Sequence, residues 1–489
     1  MYVTRLLPVI LLPLIFSCTV SKNYNPNKKY SREALQADYT LFRTILEKKH
    51  PSLYWYTSRD SMNFYFDNGY RSIADSMTEL QFGWTVLAPV TKAIRCGHTG
   101  FAMSKDWNEF IKNKRIPSFP LYVKVWNDTL MVVANQNKQD TSIKRGDFIK
   151  SINGVPSADL IKIMLRYMVA DGYAENVNYI RLSSSFPYFH RNVFGLYPKY
   201  FVQFTDSTGL EKSTLLSYYA PPKDTTKKDR SLEKPRPGKV RAKRKLANTR
   251  SLTFDTGYAL MTLNRFTRGR LGPFIRSSFR QMRKNNTQNL IIDIRANGGG
   301  DINKSVLLTR YLSEAPFKVA DSVFSKSKNF KPFSPYISHS FFNNIGLTFL
   351  TRKRADDRYH FGFWERHVYA PKKKNHFKGK VFILINGLTF SASTLFCNAI
   401  EDQPNVLTVG EETGGGAYGN SGVLIPTMTL PNTRLRVRLP FFRLVQYRHV
   451  AEKGAGVAPE LFIGPDWRDI LEGVDTKLEA VKKMIQQGG

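Results

Sequence analysis

The feature that most constrains the fold is an apolar segment, Leu290 to Ile294, that leads within a few residues into Gly298, Gly299 and Gly300. A short apolar run bounded in this way is typical of a buried strand, and the glycines let backbone N–H groups approach a ligand closely. Comparable apolar strands alternate with helical segments from residue 252 to about residue 466. This alternation predicts an α/β core.

A second strand end carries the candidate nucleophile. The apolar run Val381 to Ile385 is followed by a turn and then by a helical segment that opens with Ser391 and Ala392. A serine at such a strand-to-helix turn is exposed, and the N–H groups at the helix start can stabilise an oxyanion. Judged alone, Ser391 is equally explained as a helix N-cap. Cys397 falls inside the helix and is interpreted as a small core residue.

Together, the two segments indicate a particular protein family far more specifically than either segment does alone. Asp-x-Arg-x-Asn-Gly-Gly-Gly ending at Gly300, followed by Ser391-Ala-Ser, resembles the C-terminal processing (tail-specific) proteases and the tricorn protease core, which are serine peptidases. A later segment, Gly454 to Glu460, resembles the Gly-Val-x-Pro-Asp stretch of that family. The resemblance implies a crotonase-like core, Ser391 as nucleophile, and an oxyanion hole formed by Ala392, Gly298 and Gly299.

The residue at the position of the catalytic base differs from that in the better known branch of the family. Processing proteases carry a lysine about 25 residues after the serine, and Gly416 holds that place here. A serine hydroxyl needs a group to accept its proton, and histidine is best matched to neutral pH. His98, in Arg95-Cys-Gly-His-Thr-Gly, resembles the catalytic histidine of the tricorn-like branch. That branch implies a glutamate, for which Glu452 is the candidate and Glu411 the reserve.

Two other histidines carry simpler interpretations. His449 is interpreted as a surface residue, and His50, at a helix end, either has a structural role or lines the substrate groove. No CxxC or His/Cys spacing indicates a zinc site, and three cysteines cannot build a disulfide framework. A phosphate loop is excluded because the Lys-Ser/Thr of that motif is misplaced after the glycines. We therefore expect neither a metal nor a cofactor.

The pattern of apolar residues along the chain predicts a multidomain α+β protein with a helical region and a PDZ-like β region before the core. Apolar residues recur at helical spacing from residue 31, and short β-like runs begin near residue 117. Residues 143–156 resemble a PDZ domain, which binds an extended peptide at a sheet edge. The predicted segments are a signal peptide (1–17), a tether (18–30), a helical domain (31–115), a PDZ-like domain (116–218), a basic linker (219–251), the peptidase core (252–467) and a C-terminal helix (468–489).

The N-terminus and the charge bear on localisation. The apolar run Leu6 to Phe16 is too short to span a bilayer, and Ile15-Phe-Ser-Cys18 resembles a lipobox, so Cys18 is the expected lipidation site. An ordinary secretory signal is the alternative.

The net charge of +34 includes twelve basic and three acidic residues between Pro221 and Arg250. This segment is interpreted as a solvated connector or, alternatively, as a patch for anionic surfaces.

The sequence thus predicts a serine endopeptidase acting on protein or peptide substrates, anchored to the outer membrane and facing the periplasm. The other interpretation is a catalytically inactive scaffold of the same fold that binds peptides or other ligands. Nucleic acid is not an expected partner, because the chain has no matching motif and is expected to be exported.

Overall fold

The computed structural model of the protein describes residues 24–112, 114–222, 249–267, 269–447 and 453–488. The predicted signal peptide, Cys18 and nearly all of the basic linker lie outside the described residues. Within the described ranges, no helix is both long enough and apolar enough to cross a membrane. The predicted mixed α/β fold is confirmed.

The N-terminal region is helical and contains one short antiparallel pair of strands. Leu35, Tyr39, Phe42 and Leu46 lie on the buried face of the first helix, as their helical spacing predicts. The helices of this region are Arg32–Lys49, Arg59–Arg71, Glu79–Gln81, Ala88–Ala93 and Lys105–Ile111, with a π-helix at Phe82–Leu87. The strands are Lys29–Ser31, which pairs with Ser76–Thr78, and Gly100–Ala102.

The next region is an antiparallel sheet covered by two helices, and it has its own apolar core. The helices are Ser157–Leu165 and Asn176–Phe194. The strands, in spatial order, are Leu121–Trp126, Thr129–Asn135, Phe148–Ile152, Lys199–Thr205 and Glu211–Ser217, with Val155–Pro156 paired to the third. The first and last strands are the edges of this sheet. The last strand could accept a further strand, whereas Val125 N–H in the first strand already donates to Ser183 Oγ of the helix Asn176–Phe194 at 2.8 Å.

A six-stranded sheet forms the centre of the C-terminal half. Its strands, in spatial order, are Arg250–Asp255, Tyr258–Leu263, Asn289–Asp293, Lys380–Ile385, Val406–Gly410 and Leu461–Phe462. The first pair is antiparallel and the others are parallel. The helices Leu271–Lys284, Ile302–Leu312 and Ala392–Ile400 cover one face and complete its apolar core. This arrangement brings the carboxyl ends of Asn289–Asp293 and Lys380–Ile385 side by side.

The remaining strands tie the N-terminal helices to the core. One sheet contains Arg352–Lys353, Tyr359–His360, Ala320–Ser325, Arg443–Gln446 and Gly419–Asn420, and another contains Thr427–Thr429, Arg436–Arg438 and Gly100–Ala102. The accompanying helices are Ser340–Leu350 and Gly362–Arg366, with a 3₁₀ turn at Ser334–Tyr336. Side chains from the N-terminal helices and from both of these sheets share one buried cluster, so the helical region packs directly on the core.

The C-terminus differs from the single helix predicted for residues 468–489. The chain forms two helices, Trp467–Glu472 and Thr476–Gln486. Gly473 ends the first helix with a φ of +74°, and the Asp475 carboxylate accepts a hydrogen bond from Leu478 N–H to cap the second. A glycine in this left-handed conformation is a common helix stop, because other side chains strain there.

Candidate active site

Two loops that leave adjacent parallel strands come together at the carboxyl edge of the central sheet. The loop after Asn289–Asp293 carries the three glycines, and the loop after Lys380–Ile385 carries Ser391. The buried Asn297 joins them, because its carbonyl accepts a hydrogen bond from Phe390 N–H at 3.1 Å. Parallel strands deliver both loops to the same edge, which is where open α/β sheets bind ligands.

Ser391 sits in a strained turn immediately before a helix. Its backbone has φ 56° and ψ −119°, and the helix Ala392–Ile400 begins at the next residue. Its side chain makes no capping hydrogen bond, so Ser391 is not a conventional N-cap. A non-glycine residue in such a conformation costs free energy and is typical of functional turns that expose a nucleophile.

Gly299 packs directly against the serine. A Cβ atom added to Gly299 would lie 2.8 Å from Ser391 Cβ and 2.9 Å from Ala392 N, and the φ of Gly299 is +91°. The Gly299 N–H, however, donates to Asn297 Oδ1 at 3.0 Å. This N–H is therefore already engaged by Asn297, which competes with its predicted role as an oxyanion donor. By contrast, a Cβ atom added to Gly298 would meet nothing within 4 Å.

His98 lies opposite the serine, in the loop that precedes strand Gly100–Ala102. A Cβ atom added to Gly422 would lie 2.9 Å from His98 Nε2 and 3.0 Å from Ser391 Oγ. Both candidate side chains therefore reach the same point beside Gly422, and the two atoms are no farther apart than the sum of these distances. The Phe390 ring packs on the imidazole of His98, with ring centroids 5.1 Å apart. The histidine is therefore in contact with the residue that precedes Ser391.

The carboxylate that faces His98 is Asp171. Its Oδ1 lies 3.8 Å from His98 Nδ1, and the same oxygen accepts a hydrogen bond from Gly97 N–H at 2.6 Å. Both side chains are buried, with exposed fractions of 6% for His98 and 2% for Asp171. Asp171 comes from the loop between the helices Ser157–Leu165 and Asn176–Phe194, so the predicted PDZ-like region contributes to the site.

The electrostatic surroundings favour a charged imidazole. Burial disfavours the charged ring, but the Asp171 carboxylate and the Cys96 thiol outweigh burial and raise the pKa of His98 to about 9. Burial likewise opposes ionisation of Cys96, yet His50 and His98 lower the pKa of this thiol to about 6. These groups therefore stabilise the imidazolium, and the neutral ring that can accept a proton from Ser391 becomes the main form only as the pH rises through about 9.

Gly416 holds the place of the lysine of the processing proteases. A Cβ atom there would lie 2.9 Å from the Gly419 carbonyl oxygen and 3.8 Å from Asp171 Cβ. The loop is backed by the Gly-Val-x-Pro-like segment, because Val457 N–H donates to Thr413 Oγ1 at 2.8 Å and Ala417 N–H to the Ala455 carbonyl at 2.9 Å. A long side chain at position 416 would therefore need the backbone to move.

Comparison with known proteins identifies the region that carries Ser391. Residues 257–462 match the sequence model of peptidase family S41. Residues 257–462 are therefore a serine-peptidase domain of family S41. The matched range contains Ser391 and the glycine loop, whereas His98 and Asp171 lie outside it. No curated protein sequence gives a significant match.

Solved structures show the same fold over nearly the whole chain. The structure of mature CPAF complexed with lactacystin has a TM-score of 0.64 at 14% identity, and it covers 93% of this chain and 98% of its own. Mature CPAF alone has a TM-score of 0.62 at 13% identity, with 94% and 98% covered.

The other predicted site residues have separate outcomes. Glu452, the predicted triad carboxylate, and His449 lie outside the described residues. The reserve candidate Glu411 pairs with Lys477 Nζ at 2.6 Å. His50 Nε2 pairs with Thr99 Oγ1 at 2.7 Å and its Nδ1 accepts a hydrogen bond from Ser52 N–H at 3.1 Å, and the ring lies close enough to Cys96 to lower the pKa of that thiol.

Sequence reasoning missed Asp171, Cys96 and Gly422. Asp171 lies in an ordinary Ala-Asp-Gly-Tyr stretch of the region assigned to peptide binding, so no local pattern marks it. Cys96 stands two residues before the predicted base, and this proximity is the one signal that could have been followed. Gly422 has no local signal, because its importance depends on the two side chains that converge on it.

Proposed function

We propose that this chain is an exported serine endopeptidase that cleaves protein or peptide substrates, with Ser391 as nucleophile and His98 as general base. The observation that carries the proposal is the convergence of Ser391 Oγ and His98 Nε2 on one point beside Gly422. A nucleophile and a base that face each other in this way can exchange a proton when substrate closes the site. The S41 domain supplies the nucleophile, and the N-terminal region supplies the base.

In the proposed reaction, Ser391 Oγ attacks the scissile carbonyl carbon while His98 Nε2 takes the hydroxyl proton. The same imidazolium then returns the proton to the leaving amine, and an acyl-enzyme remains for water to hydrolyse. Ala392 N–H and Gly298 N–H are the proposed oxyanion donors, since Gly299 N–H already donates to Asn297. Loss of one such donor costs roughly 10² to 10³ in rate.

Asp171 is the proposed positioning residue. Its carboxylate faces His98 Nδ1, so it favours the tautomer with the proton on Nδ1 and leaves the Nε2 lone pair directed towards Ser391. It also stabilises the positive charge that the ring acquires during the attack. Asp171 takes the role that the sequence assigned to Glu452.

Substrate capture is proposed to use the antiparallel sheet of residues 121–217. Its edge strand Glu211–Ser217 could accept an extended peptide through main-chain hydrogen bonds, as a PDZ domain does. Asp171 comes from a loop of the same region, so the region that would bind the peptide also contributes a residue beside the proposed base. This arrangement favours an endopeptidase that recognises an unfolded or flexible segment.

The proposed location is the outer membrane, with a lipid on Cys18 and the enzyme facing the periplasm. The lipobox-like Ile15-Phe-Ser-Cys18 supports the anchor, and the charge of +34 would favour an anionic bilayer surface. Membrane fractionation of the full-length wild type and Cys18→Ala tests this part independently. The wild type should remain with the membrane, whereas the variant should be released; equal membrane retention would contradict the anchor.

Labelling with a serine-reactive fluorophosphonate tests the catalytic proposal. The wild type should label, Ser391→Ala should not, and His98→Ala should label far more slowly. Ser393→Ala is the matched control, because Ser393 lies two residues on, is fully buried and is not predicted to react. Labelling that persists in Ser391→Ala would show that the nucleophile is another residue.

The second candidate is a peptide-binding scaffold without catalysis, motivated by Gly416 in place of the lysine. The same experiment separates the two functions. A folded wild type that neither labels nor cleaves unfolded protein substrates, but still binds peptides, would favour the scaffold. The convergence of Ser391 and His98 favours the enzyme.

A further inference from the structure

A cluster of three buried ligand-type side chains lies behind the proposed base. Single ligand atoms of Cys96, His98 and Asp171 all lie within 4.8 Å of one another. All three residues are buried, with exposed fractions of 4%, 6% and 2%. A thiol, an imidazole and a carboxylate are the side chains from which proteins build sites for zinc and related ions.

The polar atoms of this cluster are under-satisfied. In the part of the chain that the structure describes, neither His98 Nδ1 nor Asp171 Oδ2 has a hydrogen-bond partner, although both atoms are fully buried. Buried polar atoms without partners are costly and call for an explanation. His98 Nδ1 and Asp171 Oδ1 are 3.8 Å apart, which is longer than a good hydrogen bond.

The spacing suits a shared ion better than a direct contact. Two atoms held about 2.1 Å from one tetrahedral ion are about 3.4 Å apart, so a modest inward rotation of the side chains would complete the geometry. His50 would not be a ligand, because Thr99 Oγ1 and Ser52 N–H occupy both of its ring nitrogens. The ion would therefore have three protein ligands and one position open to water.

We propose that Cys96 Sγ, His98 Nδ1 and an Asp171 carboxylate oxygen form an inhibitory binding site for a divalent transition-metal ion of the zinc type. The binding half of this proposal stands on the cluster alone, and the inhibitory half rests on the proposed function of His98.

The inhibition follows from the tautomers of imidazole. In the catalytic form, His98 Nδ1 carries the proton and the Nε2 lone pair faces Ser391. A metal ion on Nδ1 uses that nitrogen's lone pair, so the ring proton moves through solvent to Nε2, and the Cys96 thiol releases its own proton as the sulfur–metal bond forms. An imidazole with its proton on Nε2 cannot accept the Ser391 proton. No oxidation or reduction is involved, and a chelator reverses the step.

Metal binding is tested first without reference to activity. The full-length chain is freed of metal with a chelator, exchanged into chelator-free buffer and titrated with Co²⁺, whose thiolate-to-metal charge-transfer absorption reports sulfur ligation. One equivalent should produce this band in the wild type, and Zn²⁺ should displace it. Cys96→Ser should abolish the band, whereas Cys397→Ser, the matched buried cysteine outside the cluster, should retain it.

Asp171→Asn provides a second variant should Cys96→Ser fail to fold. It should keep the thiolate band and bind about tenfold or more weakly, since loss of a carboxylate ligand weakens metal affinity. Ser391→Ala should bind Co²⁺ as the wild type does, because Ser391 is not a ligand. The absence of a charge-transfer band in the wild type, or a band that survives in Cys96→Ser, would overturn the site.

The inhibitory half has its own measurement. Stoichiometric Zn²⁺ should suppress fluorophosphonate labelling of the wild type and a chelator should restore it, while Cys96→Ser should label equally with and without Zn²⁺. Metal binding without any effect on labelling, or with activation, would refute inhibition. If the metal-free wild type never labels, the proposed function fails, yet the Co²⁺ spectra still decide whether the site exists.

Discussion

Gly422 is the residue whose substitution most directly examines the geometry of the site. The alanine variant, Gly422→Ala, would place its Cβ 2.9 Å from His98 Nε2 and 3.0 Å from Ser391 Oγ. Such separations lie at or below the closest approach of real Cβ atoms. The new methyl group would therefore crowd both the proposed nucleophile and the proposed base, and also Asn420 Oδ1 at 2.9 Å, so at least one of these side chains would have to move.

The loop that carries Gly422 has little freedom to retreat. Asn420 belongs to a strand pair with Leu444, and its Oδ1 accepts a hydrogen bond from Gly422 N–H at 2.8 Å. The neighbouring Ser421 is buried and its Oγ pairs with Ser52 Oγ at 2.7 Å. The displacement should thus fall on the side chains of His98 and Ser391, which breaks their alignment.

The expected magnitude follows from the loss of base catalysis. A positioned general base contributes roughly 10² to 10⁴ in rate, which corresponds to about 3 to 5 kcal/mol of activation free energy. The free energy of unfolding should change less, by about 1 to 3 kcal/mol, as is usual for one extra methyl group in a packed site. The variant should therefore fold and yet be nearly inactive.

The assay compares kcat/KM on an unfolded protein substrate, and the rate of fluorophosphonate labelling, with thermal unfolding followed by circular dichroism. Gly346→Ala is the matched control, because a Cβ atom at Gly346 meets nothing within 4 Å and the residue lies in the exposed helix Ser340–Leu350. A folded Gly422→Ala variant with wild-type kcat/KM would refute the proposed pairing of Ser391 and His98.

Three further predictions concern the neighbouring residues and one distant histidine. Asp171→Asn should lower kcat/KM by roughly 10² to 10⁴ with little loss of secondary structure, because the amide no longer holds the required tautomer of His98; unchanged kinetics would remove Asp171 from the mechanism. Adding Gly416→Lys to His98→Ala should not restore labelling, since a Cβ at position 416 already meets the Gly419 oxygen at 2.9 Å; recovery would show that a lysine dyad fits this fold. Burial among aromatic rings lowers the pKa of His190 from 6.5 to about 4. The unfolded chain therefore binds a proton that the folded chain does not, so stability is complete above about pH 6.5 and falls by about 3 kcal/mol as the pH drops to about 4. Urea unfolding of the wild type and His190→Phe at several pH values measures this, and an equal pH dependence in both would contradict it.

The sequence by itself determined the parts of the site that are local to the chain. The strand that ends near Asp293 and the strand that ends at Ile385 are readable because their apolar runs are short and continuous. The glycines and Ser391 follow these strands directly, so their position at the sheet edge depends only on local chain geometry. The boundary within residues 467–486 was missed because a single glycine, Gly473, stops a helix whose apolar spacing continues.

Only the tertiary structure decided which groups complete the site. Gly97 and Asp171 are 74 residues apart in the chain, yet the N–H of one donates to the carboxylate of the other. Gly422 reaches Ser391 and His98 from a third segment. Such contacts arise when separately folded elements bury their apolar surfaces against one another, and the side chains that meet at those junctions carry no mark in their own stretch of sequence. The proposed nucleophile and base, Ser391 and His98, were thus predicted from their own segments, whereas the proposed positioning carboxylate, Asp171, and the metal site that we propose depend on how the domains pack.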